Sequence, residues 1–179
     1  MCGIYGSFKI NKFMLLSRLN KSRGVKESSI NELTIAGKTY NIGHVQTPTS
    51  NSALKHPAIN SNNMLWHNGI IKQICMDEYP NIEYDGWDTM FLLNLIDTYG
   101  LGVLSNVDGS FACVYNKGDD VFIFRNEIAP LYIDNDLNMS SIKSDGMTML
   151  PANKVFCINA IGELVVVAEF TTKNNPYKL

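Results

Sequence analysis

A basic surplus is missing from this chain. Its 15 Lys and Arg stand against 17 Asp and Glu, giving a net charge of -2 and an isoelectric point near 5.9. A nucleic-acid-binding surface is built from an excess or stripe of basic residues, so that class of partner is not expected. Long apolar runs are missing too. The most hydrophobic stretch, Leu164–Ala168, is five residues long, against about 20 for a membrane-spanning helix, so no membrane association is expected. The N-terminus, MCGIYGSFKI, has neither a basic start nor an extended apolar run. That predicts no secretory leader and a cytoplasmic chain. The four cysteines (Cys2, Cys75, Cys113, Cys157) contain no C-x-x-C pair, and the three histidines make no H-E-x-x-H pattern. Neither a metal site nor a cofactor is therefore expected, and the thiols are expected to stay reduced. A glycine-rich phosphate loop, internal repeats and low-complexity linkers are likewise lacking.

What is present is about one domain's length of chain: 179 residues, 45% hydrophobic and 18% charged, a balance that argues against disorder. One domain over residues 1–170 and a loose C-terminal end over 171–179 are predicted. Short strand-like runs dominate. Residues 2–8 read as a strand and 12–21 as a helix that stops by Arg23-Gly24. Leu33–Ile35 and Thr39–Ile42 flank Ala36-Gly37-Lys38 as a hairpin, and the strand that follows ends at Pro48. Residues 51–63 read as a polar loop and Met64–Ile71 as a strand. The clearest helix is 88–99, with Asp88 as its cap, an apolar face from Phe91 to Tyr99, and Gly100 as its stop. From Ser110 onward one strand follows another, with turns at Gly118-Asp119, Asn135-Asp136, Asp145-Gly146 and Ile161-Gly162. The expected class is α+β, two mainly antiparallel sheets sandwiched between a few helices.

Several residues can carry chemistry. With Met1 removed, Cys2 holds both a thiol and the free α-amine of the chain. An α-amine titrates at about 7.7–8.0 and a Cys thiol at about 8.5, so the neutral amine can take the thiol proton near neutral pH. The competing role for Cys2 is a small buried residue on an edge strand. Asn68-Gly69 offers a side-chain amide and a backbone N–H of the kind that stabilises an oxyanion; the same pair is also the strongest two-residue hairpin signal. Asp88 can hold a substrate ammonium or cap its helix. Arg23 can order the floor of a site or lie solvated at a helix end. His44 and His56 have no sequence partner that forces a role, and His67 can orient the Asn68 loop or pack as a half-buried structural residue.

Taken in order, Cys2-Gly3-Ile4-Tyr5-Gly6, Arg23-Gly24, Gly43-His44-Val45-Gln46-Thr47-Pro48-Thr49, His67-Asn68-Gly69-Ile70-Ile71 and Asp88-Thr89 resemble the class II glutamine amidotransferase domains, such as the glutaminase halves of glucosamine-6-phosphate synthase and asparagine synthetase. Asp108–Ala112, Arg125–Tyr132 and Ser141-Ile142-Lys143 extend the resemblance over about residues 1–160. It implies an N-terminal nucleophile hydrolase fold, an αββα sandwich. It also implies Cys2 as nucleophile with its α-amine as base, and an oxyanion hole from the Asn68 side chain and the Gly69 N–H. Gly69 and Asp88 then hold the α-amino group of L-glutamine. Gln46, Thr49, Asp88 and Arg23 are the substrate-binding positions. The reaction implied is hydrolysis of the glutamine side-chain amide through a thioester, with ammonia passed to a separate synthetase or other acceptor protein.

Two positions depart from that pattern. Gln46 stands where the family has an Arg that pairs with the glutamine α-carboxylate, and an amide lacks both the charge and the bidentate fork of Arg. Arg23-Gly24-Val25-Lys26-Glu27 lacks the usual Asp. Three readings of Gln46 follow: a partner chain lends a cation, which ranks first; Arg23 or Lys55 reaches the site; or the substrate has no free α-carboxylate. Beside the glutaminase reading stand an amidohydrolase for another amide and a catalytically silent binding domain.

Overall fold

The computed structural model describes residues 2–24, 27–47, 54–61 and 63–176. Thr49, together with Pro48, Val25 and Lys26, lies outside the described residues. The elements are β1 (Gly3–Ser7), α1 (Ile10–Asn20), β2 (Glu27–Ile35), β3 (Lys38–Gln46), β4 (Ala58–Asn60), β5 (Asn63–Ile71), α2 (Gln73–Asp77), α3 (Asp88–Tyr99), β6 (Gly109–Lys117), β7 (Asp120–Arg125), β8 (Tyr132–Ile133), β9 (Met139–Ser140), β10 (Thr148–Met149), β11 (Lys154–Ile158) and β12 (Leu164–Glu169). They form two six-stranded sheets, ordered β10-β8-β9-β1-β3-β2 and β12-β11-β7-β6-β5-β4. The registered pairings are antiparallel.

The alternation of strand side chains builds three packed layers. In β6, Phe111, Cys113 and Tyr115 join Phe91, Leu92 and Leu95 of α3 in one core. Their neighbours Ala112 and Val114 face the other way and meet Ile4 and Ile42 of the first sheet, with Trp66 between the sheets. In β1, Ile4 points to that central layer while Tyr5 packs with Phe13 and Leu16 of α1. The result is α1, sheet, sheet, α3 in order. Each fully buried Ile, Leu or Phe contributes roughly 1.5–3 kcal/mol of transfer free energy.

Several local expectations need correction. The helix read at 12–21 spans Ile10–Asn20 and runs on as a 3-10 turn over Lys21–Arg23. The loop read at 51–63 contains β4, and α2 and β10 have no counterpart in the sequence reading. β1 is not an edge strand, since β3 and β9 flank it. Residues 171–175 are not loose. Thr172 Oγ1 donates to Asn153 Oδ1 at 2.7 Å, Lys173 pairs with Glu78 at 2.9 Å, and the Asn174 amide donates to Asp108 at 2.9 Å. Helix α3 keeps the predicted bounds, and Gly100 closes it at φ +75°, a conformation open to glycine.

Candidate active site

Cys2 sits half-buried just ahead of β1. The β1–β3 register ends at Gly3 opposite Val45, so Cys2 lies in line with Gln46, the last residue of β3. Its carbonyl oxygen receives Arg23 Nε–H at 2.7 Å, which ties the 3-10 turn after α1 to the start of β1. Burial pushes the Cys2 thiol above its ordinary range; a backbone hydrogen bond from Thr47 and the nearby Arg23 pull it down, and Asp88 pushes it up. A thiol raised in this way stays protonated near neutral pH and needs a base to become a nucleophile.

Asn68-Gly69 is not a hairpin turn. Both residues lie inside β5, paired with Ala112 and Phe111 of β6. Tertiary pairing has overridden the local turn preference. Gly69 is held at φ +154°, and a Cβ there would collide with the Ser110 carbonyl and approach His67 Nε2 to 2.8 Å. No other residue type fits so close an approach. The Asn68 side chain is buried, and its amide reaches Ser141 Oγ at 3.4 Å. That same Oγ accepts Ile4 N–H at 3.0 Å, and Ser141 N–H donates to Ile4 O at 2.8 Å. Ser141 thus fastens the strand leading from Cys2, in one sheet, to the Asn68 amide in the other. Sequence reading placed Ser141 in a motif but did not give it this role.

Asp88 does not cap α3 with its side chain. It is the first helical residue, and its Oδ2 accepts Ile71 N–H at 3.1 Å, joining α3 to the end of β5. Behind it lies a histidine network. His44 Nε2–H donates to the His67 carbonyl at 3.1 Å, and His67 Nε2–H donates to the Ser110 carbonyl at 3.3 Å. His67 Nδ1 lies 3.2 Å from Thr89 Oγ1, which itself lies 3.1 Å from His56 Nε2. Thr89 Oγ1 also donates to Asp88 Oδ1 at 3.5 Å, so this hydroxyl links both imidazoles to the carboxylate. The His44 and His56 rings stack at 3.7 Å. Burial lowers the His44 pKa to about 3 and takes His56 well below its ordinary value, with His44 and His67 adding to the penalty on protonating His56. His67 is buried at 2% exposure rather than half-buried.

Cys2, Arg23, Gln46, Asn68, Gly69 and Asp88 all line one cavity of about 400 Å³. Its far wall is the Ile128–Pro130 segment, shaped by buried Asn126, whose Oδ1 accepts the N–H groups of Phe111, Ile128 and Ala129 at 3.2–3.3 Å. Buried Arg125 braces the same segment through the carbonyls of Leu150, Asn126 and Ala129. Lys55, weighed as a reserve cation, is absent from the cavity lining. The arrangement holds a thiol, a side-chain amide and an extended backbone against one open volume, the parts acyl transfer requires.

No protein-family model and no curated protein matches the sequence. Solved structures do match. The glutamine phosphoribosylpyrophosphate amidotransferase from B. subtilis, solved with ADP and GMP, superposes at a TM-score of 0.67 and 19% identity over 96% of this chain. A structure described as the allosteric regulatory enzyme of purine biosynthesis superposes at 0.66, also with 19% identity over 96% of the chain. The fold is that of an N-terminal nucleophile hydrolase. The chain spans about half the length of each of these proteins, 50% in both cases. As the sequence resemblance implied, this fold places two antiparallel sheets between helices. Among the described residues no helix is long and apolar enough to cross a membrane.

Proposed function

We propose that this chain hydrolyses the side-chain amide of a glutamine-type substrate through a thioester on Cys2, supplying ammonia to a separate acceptor enzyme. The observation that carries the reading is the Ser141 bridge, which fixes the Cys2 strand and the Asn68 amide on the wall of one cavity. The nucleophile hydrolase fold supports it independently.

With Met1 removed, the neutral α-amine of Cys2 takes the thiol proton. The sulfur attacks the amide carbon, and the oxygen, now negative, receives hydrogen bonds from Asn68 Nδ2–H and Gly69 N–H. The C–N bond then breaks as the Cys2 ammonium returns its proton to the leaving nitrogen, giving ammonia and a thioester. The amine next takes a proton from water, and the hydroxide attacks the thioester carbon. The C–S bond breaks, releasing the acid and restoring the thiol. Residues and water supply every proton and electron pair. Asp88 receives the substrate's α-ammonium. The test is ammonia release from glutamine by the protein whose first residue is Cys2, compared with the Cys2→Ala variant. Release that survives in Cys2→Ala overturns the reading.

A further inference from the structure

The geometry points to Ser110 as a substrate-binding residue whose hydroxyl donates to the acceptor group on the α-carbon of the substrate, the carboxylate in glutamine. The inference rests on the amide-hydrolase reading above and adds one residue to its substrate site.

Gln46, at the end of β3, brings no charge to a carboxylate, so the opposite sheet is the other place to look for a donor. Ser110 is the second residue of β6 and lines the cavity. It pairs with Ile70 of β5, while Ala112, two residues on, pairs with Asn68. Residues two apart on a strand share a face, so Ser110 stands on the side of Ala112 and Val114, which pack toward the first sheet. Directly paired residues share a face as well, and the Asn68 amide, opposite Ala112, reaches Ser141 on that side. Ser110 Oγ accepts Ile70 N–H at 3.2 Å, in a solvent-exposed bond. That contact holds the oxygen and leaves the hydroxyl proton, which no acceptor takes among the described residues. A held hydroxyl with its donor to spare, on a cavity wall, suits an acceptor of the ligand.

The level of Ser110 along the strands decides which acceptor. Its partner Ile70 lies two residues beyond Asn68, roughly 6.6 Å at ~3.3 Å per residue. In extended glutamine four bonds separate the side-chain amide carbon from the carboxylate carbon, a span of about 5 Å. With the amide oxygen at Asn68 and Gly69, the α-carbon and its substituents come level with Ile70 and Ile71. Asp88 is already at that level, because its Oδ2 accepts Ile71 N–H at 3.1 Å. The two substituents are then sorted by chemistry. The ammonium, all donor, goes to the Asp88 carboxylate. The carboxylate, all acceptor, goes to the Ser110 hydroxyl.

The test compares L-glutamine with 4-aminobutanamide, which is glutamine without its carboxylate and keeps both the amine and the amide. Titration calorimetry on Cys2→Ala measures the two without turnover. Glutamine is expected to bind about tenfold more tightly or better, the worth of one hydrogen bond to a charged acceptor. Adding Ser110→Ala removes the donor; glutamine affinity is expected to fall about tenfold and that of 4-aminobutanamide by less than about twofold. Equal losses for the two ligands, or no loss for glutamine, overturn the inference. Parity of the two ligands with Ser110 intact overturns it without any change at Ser110, as does binding of neither. Cys2-dependent ammonia release judges the reading beneath. A glutaminase that binds both ligands alike therefore fails the first and passes the second.

Discussion

Truncating Asn68 to Ala separates a catalytic amide from a structural one. The Asn68 amide is buried, yet its contact with Ser141 Oγ is 3.4 Å, longer than the roughly 2.7–3.2 Å of a strong N–H···O bond. Losing it leaves Ser141 Oγ still engaged with Ile4 N–H at 3.0 Å, so no buried group is orphaned. The stability cost is then at most about 1 kcal/mol, or a melting shift of about 2–4 °C for a chain of this size. The catalytic cost is larger. Removing one oxyanion donor costs about 10²–10³ in turnover, or ~2.7–4 kcal/mol. Because the donor acts on the intermediate, KM is expected to change little. The assay pairs steady-state ammonia release with a thermal melt of the same preparation. Turnover within threefold of wild type refutes the oxyanion role. A melting loss above about 10 °C refutes the decoupling argued from the long hydrogen bond.

Two further outcomes follow from the same geometry. Gly69→Ala forces a Cβ onto the Ser110 carbonyl at φ +154°, so a denaturant melt should show destabilisation beyond the ~1–3 kcal/mol of ordinary backbone strain; a stable Gly69→Ala protein contradicts the described β5–β6 approach. His44, whose pKa burial lowers to about 3, takes up its proton only on unfolding, at a pH near 6.5. Stability is therefore full above about pH 6.5 and falls as pH drops, by about 2 kcal/mol at pH 5 from this ring alone. His56, shifted the same way, adds to the slope. Urea midpoints that stay flat or rise between pH 7 and pH 5 would show that these rings are not held neutral.

Helix α3 was legible because its signals agree. An apolar face repeats from Phe91 to Ile96, and Gly100 stops the chain at φ +75°. The long strands β5, β6 and β7 were legible from their apolar content and the turns between them. Helix α2 was not, being five residues with no room for a helical period. Strands β4 and β10 are three and two residues long and exist because a neighbour pairs with them. At the site, Asn68-Gly69 carried a hairpin signal that only the pairing with Ala112 and Phe111 overrides. Cys2, Arg23, Gln46 and Asp88 were recognisable as a set, and the structure brings them to one cavity. The Ser141 bridge spans 73 residues to Asn68. The stacking of His44 on His56 likewise depends on folding and leaves no local trace. Asp88 shows the opposite error: its place before an apolar helix suggested a cap, while its carboxylate in fact serves Ile71 N–H.

The central claim is that Cys2 is the nucleophile, and covalent trapping tests it most directly. The protein beginning at Cys2 is incubated with an electrophilic analogue of glutamine, then examined by intact mass and peptide mapping. One adduct is predicted, on Cys2. Cys75 and Cys113, both buried, and Cys157 stay unmodified. Modification at Cys75, Cys113 or Cys157 in place of Cys2 would contradict the account.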